Sequence, residues 1–265
     1  GHPYWISDYR FLMIDRAERQ IELWSRFYGL LDVLPTPTSV HHVLQAPDDY
    51  SSKIFYAVVE GSQDELLSPS ILRFKILHGT KLAVQGEAVL GNYPTIPLLN
   101  PAEMGSHHAD FHPNGVHIYV GSAEGHVFVV DKNTMTVDHM IDTGLGSGHT
   151  MFVPKHELAF VTNHNDTHMT VIDTTNHTLL KNIKVAEDYP PAGHKSQAHT
   201  SSVIPDHDYF YSAASHDGVF FKINVKTLTL SPDKLDLNEA VQTDSPVNIL
   251  MGSFIWAGEG DSGGM

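Results

Sequence analysis

The chain has 265 residues, of which 31 are acidic and 16 basic, and its formal net charge is −15. This charge disfavours nucleic-acid phosphates and anionic lipid surfaces as partners, and it attracts cations. The absence of cysteine excludes disulfides, thiolate nucleophiles and cysteine-ligated metal sites. No apolar run reaches the roughly 18 residues of a transmembrane helix. The unusual feature of the composition is its 19 histidines.

Five segments begin with a histidine, reach a proline (or Ser7 in the first) about five residues later, and continue into a strand-like run. The five histidines are His2, His42, His108, His149 and His199, at steps of 40, 66, 41 and 50 residues. In chain order the apolar runs are 11–14, 54–59, 116–120, 158–162 and 209–213. A second run follows each of them, at 19–24, 71–77, 126–131, 169–173 and 218–224. Such short β-branched and aromatic runs between turn residues predict strands.

Four strands in a repeat of about 40–45 residues are the signature of a β-propeller. We predict one all-β domain over 1–265, a propeller with six or seven blades of four antiparallel strands. The predicted blades lie near 2–40, 41–95, 107–143, 148–186 and 198–237, with a partial blade at 238–265. Residues 78–106 are the least regular and are expected to be a long insertion between blades. The chain starts at Gly1 without an initiator Met, so we expect it to be processed, with any signal peptide removed.

One histidine just ahead of the innermost strand of every blade predicts an inward-facing ring at the mouth of the central channel. Neutral imidazole is a good ligand for copper and zinc, and the acidic surface favours cation capture. His108 and His149 are the first candidates, and His2, His42 and either His194 or His199 complete the ring. We expect Asp110 to orient one of these imidazoles. For any single histidine the alternative is a structural hydrogen bond at a strand entry. The segment 164–168, "HNDTH", could form a surface site, but a loop is the favoured interpretation.

Several segments resemble the propeller domain of nitrous-oxide reductases. "GLGSGHTMF" at 144–152 resembles the family's "GLGPLHTAF", and "DYPPAGHKSQAHTS" at 188–201 resembles its "YQPGH" segment. Residues 2–23 and 106–131 are similar to two of its blades, in the same order along the chain. In that family seven histidines hold a multi-copper cluster at the propeller hub. The resemblance implies as ligands here His2, His41 or His42, His107 or His108, His149 and His194. The repeat alignment favours His42 and His108 within their pairs, and His199 over His194.

The chain also departs from that family. Gly1 stands in place of the first histidine of a pair, and "TDSPVNI" at 243–249 stands where a last histidine is expected. Nothing resembles the family's C-terminal cupredoxin domain, whose dicopper site needs two cysteines. The pattern at 112–137 is also shared with generic extracytoplasmic propellers of the YVTN type.

These observations predict a periplasmic or otherwise extracytoplasmic metal-binding propeller, with copper as the metal and zinc as the alternative. It would use a redox or metal-delivery protein as partner, and its reaction, if it is an enzyme, would be that of a copper-dependent oxidoreductase. Two alternatives stay open: a periplasmic copper or zinc metallochaperone, and a YVTN-type scaffold or subunit of a larger complex.

Overall fold

A computed structural model describes residues 3–7, 9–45, 53–91, 105–187, 198–203, 208–214 and 217–236, without the side chains of 199, 200, 202 and 203. Within these ranges the chain is β-structure joined by turns, apart from a 3-10 turn at Pro154–His156. Strands that follow one another in sequence pair side by side, except that the last short strand of the fifth sheet pairs with the third strand of that sheet.

The first sheet contains β1 (Tyr4–Ser7), β2 (Arg10–Asp15), β3 (Gln20–Ser25) and β4 (Gly29–Pro35). The second contains β5 (Val40–Leu44), β6 (Ile54–Val59), β7 (Ser70–Leu77) and β8 (Lys81–Val89). The third contains β9 (Ser106–Phe111), β10 (His117–Ser122), β11 (His126–Asp131) and β12 (Thr136–Asp142). The fourth contains β13 (Ser147–Val153), β14 (Leu158–Asn163), β15 (His168–Asp173) and β16 (Thr178–Lys184). The fifth contains β17 (Ala198–Val203), β18 (Tyr209–Ala214), β19 (Val219–Asn224), β20 (Thr229–Leu230) and β21 (Leu235–Asp236).

The described residues form five sheets, and the bounds of each lie inside, or one residue outside, those of one complete blade predicted from the repeats. The partial blade at 238–265 lies outside the described residues. The insertion predicted at 78–106 is wrong in part, because β8 pairs with β7 from Leu77↔Lys81 to Ser70↔Val89. His78 and Gly79 close this hairpin with positive φ, at 49° and 73°. Most of β8 is partly or fully exposed, so its sequence lacks the apolar run that marks a buried strand.

The histidines lie one strand away from their predicted place. His42, His108, His149 and His199 are within β5, β9, β13 and β17, the first strands of their sheets. The apolar runs taken as first strands are therefore the second strands. The prediction failed there because the histidine-bearing strands contain many polar residues, and three of them have an irregularity that interrupts the alternation of side chains.

The chain divides into two compact units, and each has its own apolar core. The first comprises residues 1–120 and 128–140, and the second comprises 121–127 and 141–265. In the first unit, successive residues of β6 belong to two apolar clusters: Phe55 and Ala57 to one, Tyr56 and Val58 to the other. Because both faces of this strand are buried, its sequence is a continuous apolar run. A third cluster joins the fourth and fifth sheets within the second unit.

Candidate metal site

Two edge strands of the first unit come together at the candidate site. β5 and β9 each lie at the edge of their own sheet and contact each other. The buried hydroxyl of Ser106, at the start of β9, donates a hydrogen bond of 2.6 Å to the backbone carbonyl of Val59 at the end of β6. This bond fixes β9 beside the second sheet immediately before the residues His107 and His108.

A β-bulge in β5 changes the direction of its histidines. Val40 is paired with Val59 and His42 with Val58. His41 is therefore an extra residue in β5 that has no paired residue in β6. A regular strand turns neighbouring side chains to opposite faces, whereas a bulge redirects them. As a result His41 and His42 both lie beside His108, with ring centroids 4.7 and 5.2 Å from its own.

The same irregularity recurs in two other sheets. Between Ser147 and Thr150 of β13, and between Ala198 and Ser201 of β17, the strand has one residue more than its partner. His149 and His199 lie within these two stretches. The bulge is therefore a repeated feature of the histidine-bearing strands.

His41, His107 and His108 form a triad whose potential ligand atoms all lie within 4.8 Å of one another. The Nε2 atoms of His41 and His108 are 3.3 Å apart. The ring of His107 is 4.3 Å from that of His41 and 4.4 Å from that of His108, measured between centroids. All three residues are partly buried, so the triad remains accessible from solvent. Among the described residues, this triad is the one group of three or more metal-binding side chains.

Glu60 contacts His41 of the triad, and Arg16 contacts Glu60. Glu60 Oε1 lies 2.9 Å from His41 Nδ1, and both Glu60 carboxylate oxygens accept hydrogen bonds of 2.8 Å from Arg16 Nη2. Burial acts to raise the pKa of Glu60, but the hydrogen bond from His41 and the charge of Arg16 outweigh it and lower that pKa. The carboxylate is therefore held in its ionised form, which only accepts hydrogen bonds.

His42 is a neutral neighbour of the triad. Burial, and secondarily the nearby His41, lower the pKa of His42 to about 4. Its Nδ1 atom is buried and has no hydrogen-bond partner among the described residues. At neutral pH this ring is uncharged, so it adds no repulsion against a cation bound beside it.

The other predicted ligands lie elsewhere. His2 and His194 are outside the described residues, and His199 has a described backbone only. His149 belongs to the second unit, where it is 8% exposed and its ring centroid is 6.1 Å from that of His164. The loop predicted at 164–168 is the connection between β14 and β15, but His164 is buried there, 8% exposed and packed against the backbone of Gly148. Asp110 is buried on β9, and its orienting role stays a prediction.

Two members of the triad, His41 and His107, were the less favoured residues of their pairs. The signal that points to them is the His-His dipeptide, which occurs at 41–42 and again at 107–108. Glu60 had no such signal, because it lies 19 residues from His41 and is one of 31 acidic residues.

No protein-family model and no curated protein matches the chain. Among solved structures, the chain is similar to "Dihydro-heme d1 dehydrogenase NirN in complex with DHE". The TM-score is 0.62 at 16% sequence identity, and the match covers 86% of this chain and 45% of that one. The chain is a β-propeller. This confirms the predicted fold class; at this identity the likeness concerns the fold alone, and the propeller spans less than half of that protein's length.

Within the described ranges, the propeller has no helix with the length and apolar character needed to cross a bilayer.

Proposed function

We propose that this propeller binds a transition-metal ion through His41, His107 and His108, and that the metal is copper. The observation that carries the proposal is the convergence of three imidazoles from two edge strands, with their ligand atoms within 4.8 Å of one another. Neutral imidazole is a preferred ligand of copper and zinc.

The spacing of the triad fits a metal ion. Metal–nitrogen bonds of about 2.0–2.1 Å at tetrahedral angles place two ligand nitrogens roughly 3.3 Å apart. The Nε2 atoms of His41 and His108 are separated by 3.3 Å. Three imidazoles from one protein leave a coordination position for an exogenous ligand, as in catalytic rather than closed structural sites.

The resemblance to nitrous-oxide reductases supports copper over zinc and an extracytoplasmic location. Copper held by the triad would supply one-electron redox chemistry, with electrons from an external donor protein. The partial exposure of all three histidines supports the second candidate function, a copper or zinc metallochaperone that passes its ion to a partner.

Metal analysis tests the proposal. We expect the purified wild-type chain to retain stoichiometric copper, and His41→Ala and His108→Ala to lose most of it, while circular dichroism stays unchanged. His156→Ala, in the 3-10 turn of the other unit, is the matched control and should keep its copper. Stoichiometric zinc would favour the chaperone. A wild-type chain that binds neither metal, even when copper or zinc is added, would overturn the proposal and leave a scaffold.

A further inference from the structure

A connected row of side chains leads from the surface to the triad. Arg16, in the turn after β2, is half exposed and donates to Glu60, which follows β6. Glu60 lies in turn 2.9 Å from Nδ1 of His41. The row joins the first sheet to the second, and it approaches His41 on the side opposite to His108 because the two ring nitrogens have different partners.

The chemistry of these groups determines which nitrogen of His41 carries the proton. A carboxylate only accepts hydrogen bonds, so the proton between Glu60 and His41 belongs to Nδ1. A neutral imidazole has one N–H, so Nε2 of His41 has a free lone pair. That lone pair faces Nε2 of His108, 3.3 Å away. With His41 neutral, the proton between the two Nε2 atoms belongs to His108, which donates to His41.

We infer that Glu60 is a positioning residue that fixes His41 as an Nε2 metal ligand, and that Arg16 in turn fixes Glu60. The inference rests on the proposed metal-binding function. Outer hydrogen bonds of this kind set the tautomer and the orientation of ligating imidazoles, and their loss typically weakens metal binding about 10- to 100-fold.

Glu60→Gln is the decisive variant. The guanidinium of Arg16 has only donors, so it should donate to the amide oxygen of the glutamine. The amide NH₂ group then faces His41. The NH₂ group would donate to Nδ1 of His41, and the proton would move to Nε2, where it blocks the ligand lone pair. The variant thus keeps the size of the side chain but exchanges donor and acceptor in the hydrogen bond between residue 60 and Nδ1 of His41.

The chain supplies a matched control. Arg19 pairs with Glu65 and joins the same two segments, the turn after β2 and the residues after β6. Glu65 makes no contact with the triad among the interactions described for it. Glu65→Gln removes an equivalent arginine–glutamate pair and should leave both the tautomer and the metal affinity unchanged.

Two measurements test the inference. In metal-free protein labelled with ¹⁵N-histidine, NMR should show His41 protonated at Nδ1 in wild type and Glu65→Gln, and at Nε2 in Glu60→Gln. His41→Ala assigns the signal. Competition with a chelator should show Cu²⁺ bound about 10- to 100-fold more weakly by Glu60→Gln than by Glu65→Gln.

The outcomes separate this inference from the proposed function. An unchanged His41 tautomer in Glu60→Gln, or equal copper affinity in the two glutamine variants, overturns the role of Glu60 while wild-type copper binding stands. A wild-type chain that binds no Cu²⁺ overturns both, even if the NMR spectra show the expected tautomer of His41.

Discussion

At the scale of single residues, Gly148 shows how tightly the second unit is packed around its histidines. A Cβ atom at this position would overlap Nε2 of His164 and would lie 2.5 Å from its Cε1. The backbone next to His149 thus approaches the imidazole of His164 so closely that it has no room for another side chain. The constraint on this position comes from the His164 ring and not from backbone conformation, since Gly148 has no positive φ.

We therefore expect Gly148→Ala to lower the free energy of unfolding by about 1–3 kcal/mol, the usual cost of overpacking a core. Urea unfolding at constant m-value measures this change. The cost should disappear in the background of His164→Ala, because the atoms that the new Cβ meets are then gone. Additive costs in the double variant would contradict the assignment of the clash to His164.

The candidate site was predictable from the sequence only in part. Repeated histidines indicated β5 and β9, and the repeated His-His dipeptide contained all three members of the triad. Which of these four histidines face the site depends on backbone direction, and the bulge at His41 alters that direction. Glu60 comes close to His41 only because β5 pairs with β6, so no short sequence motif indicates this contact.

At the scale of elements, one turn recurs in four of the five sheets. At the end of a strand, an Asp or Asn side chain accepts hydrogen bonds from the backbone N–H groups two and three residues later. The residue four positions on has a positive φ of 52–56°. The turn follows the second strand of the first sheet and the third strand of the third, fourth and fifth sheets, and its first residues are Asp15, Asp131, Asp173 and Asn224.

These bonds should make Asp131 a stabilising residue. Asp131 Oδ1 accepts from the N–H of Asn133 at 2.7 Å and from that of Thr134 at 3.0 Å. We expect Asp131→Ala to lower the free energy of unfolding by about 1 kcal/mol. Asp131→Asn keeps an acceptor, as Asn224 does naturally, so chemical denaturation at neutral pH should show a smaller loss than for Asp131→Ala. An equal loss in both variants would mean that the charge, rather than the hydrogen bonds, stabilises this turn.

The same turns predict a dependence of stability on acid. Burial acts to raise the pKa of Asp131 and of Asp173, but the hydrogen bonds from the turn N–H groups outweigh it and lower both. A carboxyl with a lowered native pKa contributes stability above its unfolded pKa of about 3.8, and the contribution is lost as pH falls through the native pKa. Below about pH 4, wild type should therefore lose stability more steeply than a variant with Asp131→Asn and Asp173→Asn. Parallel curves of unfolding free energy against pH would contradict this.

Strands were predictable from the sequence where both of their faces are buried. The runs at 54–59 and 126–131 correspond to β6 and β11 residue for residue, because a strand buried on both sides is apolar throughout. The prediction failed for β8, which is largely exposed, and for the histidine-bearing strands, whose polar residues and bulges conceal the alternation.

At the scale of the whole molecule, the metal site predicted from the sequence contains more histidines than the triad found in the structure. The repeats predicted a ring with one histidine from every blade, including His149. The structure brings three histidines together within the first unit, from two neighbouring strands. The net charge of −15 attracts cations in either case, so charge does not distinguish a ring from a local triad.

The effect of copper on thermal stability distinguishes them. A ligand at 100 times its dissociation constant stabilises the native state by about 2.7 kcal/mol. For a chain of this size that corresponds to a Tm increase of roughly 5–10 °C. We expect Cu²⁺ to raise the Tm of wild type and of His149→Ala alike, and to leave that of His41→Ala unchanged, because the triad alone supplies three imidazoles. Loss of the shift in His149→Ala as well, with the fold intact by circular dichroism, would favour the histidine ring predicted from the repeats.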